Sequence, residues 1–320
     1  MSDETIEKSF QVSAQARLAI SNIRGSVTIQ PGEANVIEVS AVKHGGFDNG
    51  NFSVEMSQDS DGTVRVETRN KDSWFGFISH PPKVDYNVHV PQGSKIDASC
   101  VSSSLNVSDL EGVFKLKTVS GDIEIANLTG PFKFKAVSGD ISGTKLSGAL
   151  ELGTVSGRAK LLESNFPSAD ANTVSGALIL QTPIAAGPYL FNSVSGAVRM
   201  LVPAETSCTA ELNSVSGSIR SSLPVSGNTS GHGLKVAQLG NGGTSVRLKS
   251  VSGSLAFEVE GIPLANVSSR TTEERPSPSA PPSPPASPPP APLSTEEILQ
   301  RIERGEMTVD EAIELMKGKS

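Results

Sequence analysis

"TVSGDIEI", residues 118–125, contains the three letters that organise most of this chain. Val-Ser-Gly begins at residue 119 and returns at 137, 155, 174, 194, 215 and 251; the same three letters at 225 fall outside this spacing. With Val101-Ser102-Ser103 counted as a divergent first copy, the steps are 18, 18, 18, 19, 20, 21 and 36 residues. A recurring period of this size is the signature of a repeat architecture. Because 36 is twice 18, we expect that one further copy between 215 and 251 has decayed.

The residues on both sides of each triplet alternate between apolar and polar. Leu116 and Phe114 stand three and five residues before Val119, and Ile123 and Ile125 stand four and six residues after it. A period of two predicts β-strands. Leu116 and Ile123 are seven residues apart, so one straight strand would place them on opposite faces. The triplet should therefore bend the chain, because glycine tolerates the backbone conformations that bends and bulges require.

We therefore predict an all-β fold, a β-solenoid similar to a single-stranded β-helix, with coils of 18–21 residues and Val-Ser-Gly corners. In each corner the Val is expected inside and the Ser at the bend, while the glycines of stacked coils form a ladder. The predicted corner residues are Val119, Gly121, Val137, Gly139, Val155, Gly157, Val174, Gly176, Val194, Gly196, Val215, Gly217, Val251 and Gly253. The segment "LAISNIRGSVTI", residues 18–29, has the same register and is predicted to be a divergent N-terminal coil.

Changes in composition divide the chain into four parts. We predict an N-terminal tail at 1–9, the solenoid at 10–265, a disordered linker rich in Pro, Ser and Ala at 266–293, and a small α-helical hairpin at 294–320. Residues 276–292 contain only Pro, Ser and Ala and hold ten of the 21 prolines. This composition favours an extended, polyproline-type spacer.

The last segment has the signals of two short amphipathic helices. Ser294 with Glu297 and Thr308 with Glu311 are capping-box pairs. The apolar faces of the two helices contain Ile298, Leu299, Ile302, Val309, Ile313 and Met316. So short a hairpin cannot bury a core of its own. We therefore expect these residues to bind a second copy of the chain or a partner protein, and membrane association stays open.

An apolar loop, "NKDSWFGFISHPP" at residues 70–82, interrupts the early strands. Its apolar residues are Trp74, Phe75, Phe77 and Ile78. One interpretation is that the loop caps an open end of the solenoid, where unpaired strand edges need cover. The other is that it forms an exposed tip that binds a partner protein or a lipid surface.

Longer blocks of the sequence carry a family resemblance. They are "VDYNVHVPQGSKIDASCVSSSLNV" (84–107), "KLKTVSGDIEI" (115–125) and "GNGGTSVRLKSVSGSLAFEV" (240–259). Residues 10 to 260 resemble the bacterial "putative adhesin" family of β-strand repeats, a domain of uncharacterised function. The tail, with "ILQRIERGEMTVDEAIELM", is similar to the short helical-hairpin (SHOCT-like) domains of Gram-positive envelope-stress proteins, including those of the Lia response. These resemblances imply a regulatory or envelope-associated role, and the family name implies adhesion.

Catalytic and metal-binding patterns are sparse. Asp122 and Asp140 follow the glycines of successive corners, about 5 Å apart, close enough to hold a cation or to share a proton. The next corner has Arg158 there, so we favour solvated turn residues. No metal-ligand spacing occurs among the four histidines, His44, His80, His89 and His232. We expect no catalytic residue, metal site or cofactor, and no enzymatic activity.

Charge and cysteine content limit the compartment and the partners. The net charge is −7 without a basic patch, so we expect no nucleic-acid partner. Cys100 and Cys208 are six coils apart by the repeat count, so we expect two buried free thiols, which suit a reducing compartment. Neither a signal peptide nor a transmembrane run is evident. These features favour a cytoplasmic location, and peripheral association with the envelope stays open.

Three functional classes fit this sequence. We favour a non-enzymatic bacterial scaffold or regulator whose rigid solenoid carries a tethered hairpin for oligomerisation or partner binding. An envelope-stress response is one setting for such a protein. The first alternative is a surface adhesin or ligand-binding module, which needs an export route. The second is a carbohydrate-active β-helix enzyme, which needs a charged cleft that the repeat positions do not supply.

Overall fold

The computed structural model describes residues 3–13, 15–44, 52–70, 81–227, 233–262 and 265–266. Every regular element in these ranges is a β-strand. None of the described residues belongs to a helix long and apolar enough to cross a membrane. The predicted hairpin at 294–320 and the four apolar residues of the Trp74 loop lie outside the described residues.

Twenty-three strands make up the described fold. The first seven are β1 (Glu4–Gln11), β2 (Arg17–Pro31), β3 (Val36–Lys43), β4 (Phe52–Gln58), β5 (Thr63–Asn70), β6 (Val84–Val90) and β7 (Ser94–Thr118). The central strands are β8 (Ile123–Thr129), β9 (Phe132–Ala136), β10 (Ile141–Ser147), β11 (Leu150–Thr154), β12 (Ala159–Leu162), β13 (Ala169–Thr173), β14 (Leu178–Gln181), β15 (Tyr189–Ser193) and β16 (Val198–Val202). The last are β17 (Cys208–Ser214), β18 (Ile219–Ser221), β19 (Val225–Gly227), β20 (Gly233–Leu239), β21 (Thr244–Ser250), β22 (Leu255–Val259) and β23 (Ala265–Asn266).

These strands stack in two parallel rows, which confirms the predicted all-β solenoid. One row runs β6, β2, β7, β8, β10, β12, β14, β16, β22, β18. The other runs β5, β2, β7, β9, β11, β13, β15, β21, β17. The long strand β7 passes through this second row twice, because residues 94–100 and 112–118 lie in adjacent coils joined by the bond from Val119 N to Cys100 O. Ten described coils at about 4.8 Å each give a rod of roughly 45 Å.

The inward residues of successive coils form a continuous apolar core. Ile123 and Phe134 are fully buried, and the rings of Phe114 and Phe132 stack with centroids 5.6 Å apart. The predicted N-terminal coil is present, since β2 pairs in register with β7 and places Val27 beside Leu105. One period of the apolar pattern therefore corresponds to one coil of the solenoid.

The order of the coils differs from the order of the chain at the C-terminal end. Strands β21 and β22, which flank the Val251 triplet, lie between β15–β16 and β17–β18. The expected decayed copy between 215 and 251 is therefore wrong. Residues in that interval form the antiparallel strands β19 and β20 instead. The spacing of 36 residues reflects a chain that leaves the rod, covers its end and returns one coil earlier.

Antiparallel strands cover both ends of the rod. At the N-terminal end β3 pairs with β6 and β1, and β4 pairs with β5. At the other end β20 pairs with β17, and β23 pairs with β18. Residues 4–9, predicted as a tail, belong to β1 and so to this cover. Because a parallel stack leaves unpaired backbone groups at both ends, these strands protect it from edge-to-edge association.

Each corner is held by backbone hydrogen bonds to the preceding coil. The N–H of Ser138 donates to Val119 O at 2.8 Å, and that of Ser156 donates to Val137 O at 2.8 Å. A hydroxyl closes the bend, because Thr118 Oγ1 accepts from the N–H of Gly121 at 2.9 Å. Six of the seven Val-Ser-Gly corners therefore extend to Thr/Ser-Val-Ser-Gly, and the exception has Ala136.

The valines of the corners do not all point inward as predicted. Val119 is 44% exposed and Val137 is 43% exposed. Val194 and Val251 are buried, while Val155, Val174 and Val215 are half-buried. The position that is buried in the corners is the one before each Val, at Thr118, Ala136, Thr154, Thr173, Ser193, Ser214 and Ser250. In five of the seven corners its hydroxyl hydrogen-bonds the glycine of the same corner, so this residue fills the inside of the bend.

The corner glycines are required by close packing between coils. A Cβ atom on Gly139 would lie 1.9 Å from the carbonyl oxygen of Gly121, and one on Gly157 would lie 2.0 Å from that of Gly139. Such distances are far below van der Waals contact. Each corner glycine therefore leaves the space that the carbonyl group of the preceding corner occupies.

We predict that Gly139→Ala lowers the free energy of unfolding by about 1–3 kcal/mol, because the new methyl group must displace the backbone of the preceding corner. Gly153→Ala is the matched control, since nothing lies within 4 Å of its Cβ position and its φ is not positive. The control should be neutral or stabilising by about 0.4–1 kcal/mol. Urea unfolding followed by circular dichroism measures both, and equal stability of the two variants would contradict the packing argument.

A charged cluster joins three elements of the N-terminal cover. His44 Nε2 lies 2.7 Å from Asp85 Oδ2, and His44 Nδ1 lies 3.0 Å from Asp3 Oδ2. Lys83 Nζ lies 2.9 Å from the same Asp85 oxygen. The hydrogen bond to Asp85, with a further contribution from Asp3, raises the pKa of His44 above its ordinary value. A raised pKa means that protonation of His44 favours the folded state.

We predict that His44→Gln lowers Tm at pH 5.5 but not at pH 9. The contribution of His44 is fully present below its unfolded pKa of about 6.5 and is lost as pH rises through the higher folded pKa. Gln58→Ala is the control, because it removes a 2.9 Å bond to Gln11 O in the same cover without removing a titrating group. Thermal unfolding across pH tests this, and a pH-independent effect of His44→Gln would refute it.

Candidate functional site

The candidate site is a groove on the outer face of β2, β7, β8 and β10, with a volume of about 350 Å³. Its floor is the backbone around Val107, Ile125 and Gly143. Its walls are outward side chains, Thr28, Gln30, Asn106, Ser108, Glu124, Ala126, Ser142 and Thr144. We call this surface the polar groove.

Strand register arranges the walls as two straight rows. Thr28, Asn106, Glu124 and Ser142 face one another across successive strands. Ser108, Ala126 and Thr144 form the second row in the same way, continued by Gln30. Within a row the side chains repeat at about 4.8 Å, the spacing of adjacent strands.

A column of left-handed residues forms the rim of the polar groove. Asp109, Asn127 and Lys145 have φ angles of 61°, 52° and 55°, and each follows a residue of the second row. This conformation turns the chain away from the groove after every coil. Asn127 Nδ2 donates to Asp109 Oδ1 at 2.9 Å, and this bond, with a second from Ser108, lowers the pKa of Asp109.

The side chains of the polar groove stand out because they lack partners. Among the described residues, those without a side-chain hydrogen bond or ion pair include Thr28, Gln30, Asn106, Glu124, Ser142 and Thr144. The outer face of the other strand row is different, because Lys133 pairs with Glu151 at 2.5 Å and Asn192 Nδ2 donates to Asn172 at 2.9 Å. The groove therefore presents donors and acceptors that only solvent or a ligand can satisfy.

A lysine-rich strip lies beside the exposed corner valines on that other face. Lys115 pairs with Asp97, whereas Lys117 stands beside it without an acidic partner within salt-bridge distance. Partial burial, followed by the positive charges of Lys115 and Lys135, lowers the pKa of Lys117. This local cluster was not anticipated, because Asp97 lies 18 residues before Lys115 and Lys135 lies 18 residues after Lys117.

The two aspartates considered for cation binding have structural partners. Asp122 Oδ1 accepts from the N–H of Asp140 at 2.9 Å, and Asp140 Oδ1 accepts from the N–H of Arg158 at 2.7 Å. Within the described ranges, no three His, Cys, Asp or Glu residues come together as a metal site would need. His80 and His232 lie outside those ranges. Each of these two aspartates therefore joins its own coil to the next coil by a hydrogen bond.

The two cysteines are buried free thiols in the structure. Burial raises the pKa of Cys100 and that of Cys208 to about 11 each. They lie seven coil steps apart, one more than the repeat count indicated, because β21 intervenes. At about 4.8 Å per step the two sulfur atoms are far beyond disulfide distance.

We predict that neither thiol reacts with an aromatic disulfide reagent at pH 8 while the protein is folded. The thiolate is the reactive form, and a pKa of about 11 leaves it scarcely populated. Both thiols should react at once in denaturant, which serves as the internal control. Fast labelling of either cysteine in the native protein would show that its surroundings open.

Sequence reasoning did not identify the polar groove, because outward polar residues on a strand are typical of any solvent face. The available signal was the run of short residues 18 positions apart, Ser108, Ala126 and Thr144. Of the predicted binding residues, the Trp74 loop and the apolar face of the tail lie outside the described residues. The corner residues lie in the bends between strands.

A protein-family model described as Toastrack DUF4097 matches residues 16–257. The fold is similar to a "putative cell adhesion protein" of Clostridium sporogenes, at 11% identity and a TM-score of 0.29, covering 80% of this chain and all of that one. It is also similar to a "putative lipid binding protein" of Parabacteroides distasonis (13%, TM-score 0.38, 80% and 96%). A third is a "putative adhesin" of Bacteroides fragilis (10%, TM-score 0.33, 80% and 97%). No curated protein matches the sequence.

Proposed function

The chain belongs to the Toastrack DUF4097 family, and from that premise we propose that it is a non-enzymatic scaffold. In this proposal the solenoid holds a fixed binding surface, and residues 294–320 associate with the same segment of a second copy. The observation that carries the proposal is the polar groove, a row of unpartnered side chains on a rigid ladder.

Rigidity of the rod supports a scaffold role. Corner bonds of the kind seen from Ser138 to Val119 recur from coil to coil, and both ends are covered by antiparallel strands. A surface held in this way loses little conformational freedom when it binds. The use of Asp122 and Asp140 as acceptors for backbone N–H groups supports a structural rather than a catalytic role for the repeated acids.

The composition of the C-terminal segment supports self-association. Its apolar positions recur at helical spacing, and a segment of 27 residues cannot bury them alone. The 17 residues of the Pro, Ser and Ala stretch would reach roughly 50 Å if extended, about the length of the rod. A tether of this length lets two segments meet without fixing the orientation of their solenoids.

A location in the reducing cytoplasm and a role in envelope stress are further parts of the proposal. The free, buried state of Cys100 and Cys208 supports the first. The second is supported by the resemblance of the tail to SHOCT-like segments. Protease treatment of intact cells tests the location, since cleavage of the solenoid from outside would overturn it.

The second candidate function is a ligand-binding module or adhesin. The same polar groove favours it, because the groove needs neither the tail nor a second copy. It differs from the scaffold in one expectation. A pure binding module would bind its ligand with the same affinity after removal of residues 267–320.

We predict that the full chain has a solution mass at least twice its 33.3 kDa. Ile302→Asp should reduce that mass to the monomer, because a charge on the apolar face prevents burial. Gln300→Asp is the matched control, since it adds the same charge outside that face and should leave the oligomer intact. Light scattering coupled to gel filtration measures all three. A monomeric wild type would overturn self-association. The apolar face of the tail would then be expected to bind a different protein.

A further inference from the structure

The polar groove has the chemistry of a sugar-binding site. We propose that it binds an uncharged or cationic oligosaccharide laid along the rod, with one sugar hydroxyl or amine meeting each coil. This deepens the proposed function, since it names the ligand class of the surface that the scaffold displays. It does not depend on the self-association of the tail.

Donors and acceptors are the first argument. The walls offer hydroxyls from Thr28, Ser142 and Thr144 and amides from Gln30 and Asn106. Hydroxyl and amide groups both donate and accept hydrogen bonds, as sugar hydroxyls do. In the part of the chain that the structure describes, none of these five side chains hydrogen-bonds another residue. A ligand therefore exchanges water for sugar here without breaking any internal bond.

The backbone groups of the groove floor are already hydrogen-bonded between coils, which argues against a peptide ligand. Each backbone N–H and C=O under the groove belongs to the parallel ladder between coils, as in the pairing of Ile123 with Leu105 and Ile141. An added peptide strand needs a free sheet edge. Among the described residues, strand edges lie at the antiparallel covers of the two rod ends, away from the groove. The groove also lacks the apolar pockets that would select peptide side chains.

Charge distinguishes among sugars. Glu124 is the acidic residue in the groove wall, and it has no hydrogen-bond or ion-pair partner among the described residues. Asp109 and Lys145 stand on the rim, one of each sign. An anionic sugar would place its carboxylate against Glu124, whereas an amino sugar would supply the missing cation. We therefore expect binding in the order glucosamine oligomers, then neutral oligomers, then uronate oligomers.

The composition of the groove also limits the affinity. None of the described residues that line it is aromatic, so a sugar gains hydrogen bonds there without stacking on a ring. Exposed hydrogen bonds contribute little because water competes for the same groups. Binding should therefore be weak for a single chain. It becomes useful when several copies of the protein hold one polymer, which the proposed oligomer would provide.

Isothermal titration of the full chain with a glucosamine tetramer, cellotetraose and tetragalacturonate tests the proposal. Saturable binding of the first two, strongest for glucosamine, is the expected result. Ser142→Tyr should weaken both at least about tenfold, because the ring fills the groove. Ser138→Tyr is the control, since this exposed serine lies in the same coil at the corner. Glu124→Gln should remove the preference for glucosamine and retain binding of cellotetraose.

Three results would overturn the inference: no saturation with any neutral or cationic tetramer, unchanged binding by Ser142→Tyr, or tightest binding of tetragalacturonate. The solution mass of the same samples separates this failure from failure of the scaffold. Loss of sugar binding in a protein that still forms oligomers rejects the ligand class alone. A monomer that binds the sugar rejects self-association and keeps the groove as a sugar site.

Discussion

Contact between the backbones of successive corners is the constraint on which the rest of this structure depends. The carbonyl oxygen of Gly121 occupies the space where a side chain on Gly139 would begin, and the same relation links Gly139 to Gly157. A corner can approach its neighbour this closely only where the side chain is absent. The approach lets the N–H of each corner serine reach the carbonyl of the coil before it. The spacing of the coils is therefore set at the corners and imposed on the strands between them.

That spacing turns a repeated sequence into straight rows of outward side chains. Residues 18 positions apart in the central coils occupy the same place on the surface, so Asn106, Glu124 and Ser142 become neighbours. The corner residues are needed for folding, which leaves the outward positions free to vary from coil to coil. On one face they are occupied by ion pairs, as between Glu211 and Arg247. On the other, at β2, β7, β8 and β10, they form the polar groove, most of whose side chains have no partner among the described residues.

Much of the fold could be predicted from the sequence because the interactions that build it are local and repeated. The period of Val-Ser-Gly indicated coils, alternation indicated strands, and the register of Leu18 to Ile29 identified the N-terminal coil. The inward position of the valines was wrong for Val119 and Val137, because the residue before each of them, Thr118 or Ala136, fills the inside of the bend. Which residue fills the bend depends on three-dimensional geometry that the apolar pattern does not contain.

The amino-acid sequence by itself determined that this chain forms stacked β-coils with glycine corners, and it predicts an apolar tail beyond a Pro-rich segment. Those features follow from period, alternation and the absence of a side chain, which act between residues close in the chain or one repeat apart. Tertiary structure alone decided that the coil around Val251 lies between the coils around Val194 and Val215. It also decided that β1 covers one end of the rod and that an unpartnered row of polar side chains forms a groove. The physical reason is that coils of nearly equal pattern fit one another in more than one order. Which order is adopted, and which outward residues then meet, depends on how the chain covers the two open ends of the rod.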